Sequence, residues 1–368
     1  MFFTFLITIV AIVLIVMKIG SRIRTAAAHR YEQKIQQALS EYLFSDVEEI
    51  DPASDPQRYE KVLLPLLERL RQSTISNVTF SRRIRRQVML SVMLDVSKNL
   101  SGETVGRLRL AFQRLGFVDD EVKNAHSAHW WIRADACRNL QIMYAENALD
   151  ILSTLLDDEN EDVRIESAQS MVDIAGVEAL SPILLTIDDI TPWMEIRLSK
   201  SVLHFGSSAV SHLAKGMKSK SNRVQRFCVE MMGSIGDVYA VPIILEYIDY
   251  EVLEVQCESL IALGKLGDER ATPIILRYLK SKNEPIRIAA AAALGKLSSP
   301  ATVDALNGLL LHDTLQVRLA AAEALTQLGG IGARTLIYST HTDDPETKLV
   351  AYQFLDELGY CVTSERTT

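Results

Sequence analysis

One pattern returns every 31 residues between Val224 and Gly329, and it limits the fold more than any other feature of the chain. Val224, Val255, Ile286 and Val317 hold one position in it, Gly233, Gly264 and Gly295 another, and Met232, Leu263, Leu294 and Leu325 a third. A fixed period of this length marks a stack of small units, none of which buries its own apolar face alone. The 368-residue chain therefore grows by adding units, and its length sets their number.

Each unit reads as two helices. From Val255, apolar or small residues follow at +4, +7, +8 and +11 as Ser259, Ala262, Leu263 and Leu266, which is one stripe of an α-helix. Lys265, Lys296 and Gln327 fall outside it. Gly267 and Asp268 then stop this helix and start the next, because glycine takes the left-handed stop and aspartate caps free amides. The second helix, from about Ala271 to Leu279, carries the stripe Thr272, Ile275, Leu276 and Leu279, repeated one unit earlier as Val241, Ile244, Leu245 and Ile248. Alanines at 289–293 and 320–322 favour helix and permit close approach of neighbours.

Ile286-Arg287, Val317-Arg318, the run ALGKLGDERATPIILRYL from Ala262 and the run VRLAAAEALTQLGG from Val317 resemble the bacterial HEAT-like repeat of the phycobilisome-lyase type. Weaker starts stand at Ile132-Arg133, Val163-Arg164 and Ile196-Arg197, with a partial one near Lys348. The resemblance thus covers roughly Ala128 to Tyr360. Spacings of 33 and 28 on either side of Ile196 make the unit around Trp193 irregular. The resemblance implies an all-α fold, an α-solenoid of about seven repeats in a right-handed superhelix, and the residues at the start of the chain add a transmembrane helix ahead of it.

That anchor is read from Met1 to Met17, which carries no charge and is rich in Phe, Leu, Ile and Val. With Ile19 and a snorkelling Lys18 it nearly spans a bilayer core. A signal peptide needs a basic segment first and a small-residue cleavage site afterwards, and neither is present. Lys18, Arg22, Arg24 and Arg30 instead follow the apolar run, so a single-pass protein with its repeats on the cytoplasmic side of the inner membrane is expected. Four cysteines, Cys137, Cys228, Cys257 and Cys361, are far apart, and the first three fall on helices as small apolar residues of a reducing compartment.

The organisation expected is an anchor over 1–20, a helical linker and capping region over 21–128, the solenoid over 129–360 and a polar tail over 361–368. In the cap, a helix runs from Tyr31 to Phe44, an acidic loop from Ser45 to Pro56, and a helix from Tyr59 to Leu70 with Val62, Leu63, Leu66, Leu67 and Leu70 on one side. Pro65 either kinks that helix or marks its start. Arg82 to Arg86 reads as a basic turn before an apolar helix. Leu108, Phe112 and Leu115 share a helix stopping at Gly116.

Residues 1–128 hold 18 Lys and Arg against 14 Asp and Glu; the remainder holds 21 against 33. An acidic solenoid excludes nucleic acid as the expected partner. Arg82, Arg83, Arg85 and Arg86 read as a solvated helix face, or as a contact for anionic headgroups or an acidic partner loop.

Enzymatic signatures are absent from the sequence. Deoxyhypusine hydroxylase, which this fold resembles, needs paired His-Glu dipeptides for its irons, and none occurs. Among seven histidines only His126 and His129 are closely spaced, without Cys or Glu at metal spacing. No phosphate-binding loop, dinucleotide fingerprint or nucleophile elbow appears. No cofactor, no metal and no small-molecule substrate is expected. The expected function is a membrane-tethered scaffold for a protein partner, similar to accessory subunits of membrane glycosyltransferases. The alternatives are a lyase- or hydroxylase-type enzyme on the same fold and a regulatory adaptor of a sensor or secretion system.

The partner surface is expected where second helices line the inner face. Repeat register sets Glu246 beside Arg277, Tyr247 beside Tyr278 and Ile243 beside Ile274, flanked by Tyr239 and Tyr250. Tyrosine and arginine are enriched in binding hot spots. The other reading of Ile243 and Tyr247 is packing against the adjacent repeat. Trp130, Trp131 and Trp193 read as packing residues at repeat boundaries.

Overall fold

The computed structural model describes residues 29–45, 56–75, 81–249, 252–297 and 299–360. The predicted anchor with Lys18, Arg22 and Arg24, as well as Tyr250 and Cys361, lies outside them. All regular structure among the described residues is helical. Helix α1 covers 29–43, followed by α2 (Pro56–Ile75), α3 (Arg82–Ser97), α4 (Glu103–Arg114) and α5 (Phe117–Asn124). Helix pairs follow: α6 (Trp130–Ile142) with α7 (Leu149–Leu155), α8 (Glu161–Ala175) with α9 (Leu180–Thr186), and α10 (Pro192–Phe205) with α11 (Val210–Gly216). Next come α12 (Asn222–Ile235) with α13 (Ala240–Tyr247), α14 (Leu253–Leu266) with α15 (Thr272–Tyr278), and α16 (Glu284–Leu297) with α17 (Val303–His312). The last pair is α18 (Leu315–Gln327) with α19 (Gly330–Ser339), and α20 (Pro345–Glu357) ends the series. The fold is an all-α solenoid.

The chain forms two compact units. One extends to Leu155 and includes Asn160–Ile174; the other takes Leu156–Glu159 and everything from Ala175.

In the first unit, α1 buries Tyr31, Ile35 and Leu39 at helical spacing, then Tyr42 and Leu43. Its end is satisfied from α4, where the buried Arg107 guanidinium donates to the carbonyls of Leu43 (3.3 Å) and Ser45 (2.9 Å). The Tyr42 hydroxyl donates back to the Arg107 carbonyl at 3.0 Å. Such bonds answer the carbonyls that every helix end leaves unpaired. Helix α2 buries Leu63, Leu67 and Leu70 and leaves Val62 exposed, a correction to the predicted stripe that follows from the phase set by Leu63. Pro65 stands inside α2, so it does not mark the start. Arg82 is the first residue of α3, capped by Ser81, whose hydroxyl accepts from the Ile84 amide. The basic run is therefore helix, not the turn expected.

One described segment, Glu161–Thr186, is long and apolar enough by composition to cross a membrane, but half of its most apolar window is buried. Gly176, at φ +64°, separates α8 from α9 within it.

In the second unit the first helices α12, α14, α16 and α18 pack directly on one another. Glycine makes this possible: a Cβ on Gly233 would stand 2.7 Å from the Ala262 Cβ, one on Gly264 2.6 Å from the Ala293 Cα, and one on Gly295 2.7 Å from the Ala324 Cα. The repeating Gly of each unit thus faces the repeating Ala of the next. The stops of α12 and α14 follow the sequence reading, with Gly236 and Gly267 left-handed at φ +77° and +70°. The Asp268 side chain accepts from the Arg270 amide at 2.9 Å.

The polar residue after each repeat start closes the preceding turn. Arg287 donates to the Ser281 carbonyl (2.8 Å) and Gln225 to the Ser219 carbonyl (2.8 Å), both six residues back. Arg287 also grips Asp313 through two bonds of 2.8 and 2.7 Å. Arg318 repeats the grip one unit later on Asp344. Both carboxylates are held below their ordinary range, Asp344 at about 2.

Ile196 does not start a repeat. It is 61% exposed, while Met194, Leu198 and Val202 form the buried stripe of α10. Met194 lies 31 residues after Val163 and 30 before Val224, so the register continues through a unit that had read as irregular.

The seam gives a paired prediction. Gly264→Ala should destabilise the protein by about 1–3 kcal/mol through overpacking against Ala293. Gly308→Ala, exposed within α17 and with open space around it, should stabilise by about 0.5–1 kcal/mol. Chemical denaturation of the two variants measures both, and an unchanged midpoint for Gly264→Ala would show that the seam tolerates a methyl group.

Candidate protein-binding surface

Helices α13 and α15 place the expected surface. Their inward residues are Val241 with Ile244 and, one unit on, Thr272 with Ile275, all buried. Glu246 and Arg277 point outward and are exposed, while Ile243, Ile274, Tyr247 and Tyr278 are half-buried. Tyr239 is 79% exposed, held at the start of α13 by the bond from its amide to Asp237 Oδ1 (3.0 Å). The register gives paired positions the same exposure. It does not join Glu246 to Arg277: among the described residues neither forms an ion pair.

Tyr278 has a second task. Its hydroxyl donates to the Asp249 carboxylate, in the turn before α14. Burial, then that carboxylate, raises its pKa to about 12. Arg30, the described member of the membrane-proximal basic set, is exposed on α1.

The tryptophans correct the sequence reading. Trp130 and Trp131 are exposed on α6, where His129 stacks on Trp131 with ring centroids 4.5 Å apart. Trp193 is 57% exposed and shares α10 with the exposed Ile196 and Leu203. Spacings of three and seven residues set these three on one outward face. Pro192 begins α10 and Thr191 caps it, accepting from the Met194 amide, which fixes Trp193 in the first turn. The signal available in the sequence was register: Trp131 and Trp193 both stand one residue before a repeat start, outside the stripe.

Reactive chemistry is sparse. His212 is buried, its Nδ1 2.8 Å from the Ser181 hydroxyl, but Glu178 is 4.0 Å from its other nitrogen, beyond hydrogen-bond reach. The group links neighbouring second helices, α9 and α11. Cys137 and Cys228 are buried as expected; Cys257 is only half-buried. Burial pushes the Cys228 thiol well above its ordinary range. Among the described residues no group of three His, Cys, Asp or Glu could hold a metal ion.

The Tyr278 bond yields a pH test. A phenol whose folded pKa exceeds its unfolded value of 10 adds stability below pH 10 and loses it as pH rises toward 12. Wild-type protein should therefore weaken across that interval more than Tyr278→Phe, which should itself cost about 1 kcal/mol at neutral pH. Parallel pH profiles for the two would remove the Asp249 tie.

Residues 210–295 and 251–326 match the family model of HEAT repeats. No curated protein matches the chain. Among solved structures, an engineered protein is 17% identical, with 89% of this chain and 99% of that one covered, at a TM-score of 0.35. The complex of CpcE and CpcF of phycocyanin lyase from Nostoc is 17% identical, covering 66% and 94%, at 0.30. Human deoxyhypusine hydroxylase in complex with glycerol is 15% identical, covering 77% and 92%, at 0.29. With its 31-residue helix pairs, glycine seam and matched repeats, the chain is an all-α solenoid that contains HEAT repeats over residues 210–326.

Proposed function

We propose that this protein is a non-catalytic scaffold that holds a protein partner at the cytoplasmic face of the inner membrane, anchored by residues 1–20. The observation that carries the binding role is the outward apolar face of α10, where Trp193, Ile196 and Leu203 all stand exposed. A folded chain gains nothing by wetting three large apolar side chains on one helix, and such faces serve association. Tyr239, Glu246 and Arg277 extend the exposed set on the following second helices. Stacked repeats suit the task because they present a long surface that needs no catalytic pocket. An accessory role beside a membrane glycosyltransferase fits the expected anchor and orientation.

The test uses the full chain in its own cell, with a photocrosslinking residue replacing Tyr239 or Leu203. A discrete protein adduct is expected from both positions, lost when Trp193 and Ile196 are both changed to Ala while the melting temperature is unchanged. Adducts to lipid alone, or protein adducts that survive the double change, would sink this reading.

A further inference from the structure

The first unit holds a cavity of about 500 Å³ walled by α2, α3, α4 and the start of α5. Arg71, Arg82, Arg85, Arg86 and Arg114 line it, and among the described residues no carboxylate does. Its apolar lining is Met89, Leu115 and Phe117. The volume falls within the range of small-molecule sites, roughly 300–1,000 Å³.

Arg86 is the structural member. It donates to the carbonyls of Leu115 (3.1 Å) and Gly116 (3.0 Å), pairs with Asp120, and lies 4.3 Å over the Phe117 ring. These bonds fix the left-handed turn at Gly116 from which α5 begins, so the wall itself is rigid. The positive end of α5 opens beside that wall at Phe117, adding to the field of the guanidiniums.

The arginines also stand where a helix does not want them. Arg82, Arg83, Arg85 and Arg86 occupy the first turns of α3, which has no acidic residue in its first turn. Cations at this end oppose the helix dipole. Arg86 pairs with Asp120 and Arg71 lies 3.8 Å from Glu68, but five guanidiniums still converge on one cavity, and an anion in their midst offsets the opposed dipole.

We propose that this cavity is a binding site for a phosphoryl group carrying at least two negative charges, with its organic portion resting on Met89, Leu115 and Phe117. Guanidinium forks match phosphoryl oxygens in planar, paired bonds, and several of them favour a dianion over a monovalent carboxylate. The group could belong to a soluble phosphate compound or to a phosphomonoester lipid headgroup, two sources of the same chemistry.

Calorimetric titration of the purified full chain separates the sources, with three probes: pyrophosphate, short-chain phosphatidic acid and short-chain phosphatidylcholine. Saturable 1:1 binding of pyrophosphate or phosphatidic acid, with none of phosphatidylcholine, is expected; the tighter of the two identifies the source. Binding should weaken about tenfold or more in Arg71→Gln/Arg82→Gln, since each lost charge-assisted contact is worth at least part of a decade. Both of those residues are exposed at the rim, so the fold does not depend on them. Arg83→Gln/Lys98→Gln removes the same charge from exposed positions on and beside α3 that do not line this cavity, and should change affinity by less than about twofold. Equal loss in both pairs, or no saturable binding of either phosphate probe, would overturn the site.

Discussion

Everything in the second unit depends on how closely one first helix approaches the next. A glycine in each of three consecutive units meets an alanine in the following one, at distances that leave no room for even a methyl group. Dispersion contacts fall off steeply with separation, so backbone-to-backbone packing gains from many atoms at once. It also fixes the repeat length, because the Gly and the Ala must recur at the same height on every helix. The 31-residue period is the sequence image of this one contact. Larger residues at either position would push the helices apart and unseat the ion pairs beyond them.

Those ion pairs and turn bonds are the second layer of the same register. The side chain after each regular repeat start reaches a carbonyl five to eight residues earlier: Ser219 for Gln225, Ile248 for Gln256, Ser281 for Arg287 and Asp313 for Arg318. Arg287 and Arg318 then add an aspartate 26 residues ahead. Ser170 serves the corresponding purpose in the first unit, donating to the Cys137 carbonyl at 3.0 Å. Buried polar groups here are spent on holding neighbours in place, which is why His212 and Cys228, although buried, carry no evident chemistry. Function has to be sought among residues that the register does not consume.

How far the sequence revealed those residues depended on whether a local pattern or a meeting of distant segments decided them. The helix pairs, the glycine stops at Gly236 and Gly267 and the buried stripes of the regular first helices follow from spacing alone, and the structure places them where spacing predicts. Ile196-Arg197 misled because it matches the repeat's opening dipeptide, whereas helix phase is set by which face is buried, and that face belongs to Met194. The tryptophans misled because large aromatics usually fill cores; only their position beside the stripe signals exposure. Tyr278 reads as a surface residue until the Asp249 turn, 29 residues earlier, is brought beneath it. The arginine cavity was out of reach, since four helices with unrelated sequences must converge to form it.

The strongest local contradictions in the chain fall in the first unit, and this bears on where selectivity resides. Regular repeats put glycine at the helix stop, as at Gly236, Gly267 and Gly329; the equivalent position after α6 holds Tyr144, left-handed at φ +48°. A side chain there costs about 1 kcal/mol. The ring is held 4.0 Å beneath Arg109, whose Nε has no hydrogen-bond partner among the described residues. Both residues line a second cavity, of about 310 Å³. The start of α3 shows the same conflict in electrostatic form, with arginines gathered against the helix dipole. Sequences that fold well agree with themselves at every level, and disagreement persists where something other than stability is served. The second unit has its exposed α10 face and a buried Thr272 hydroxyl with no hydrogen-bond partner among the described residues, but among them only glycines take a positive φ. The first unit, by contrast, gathers the strained Tyr144 and the opposed arginines at its two cavities.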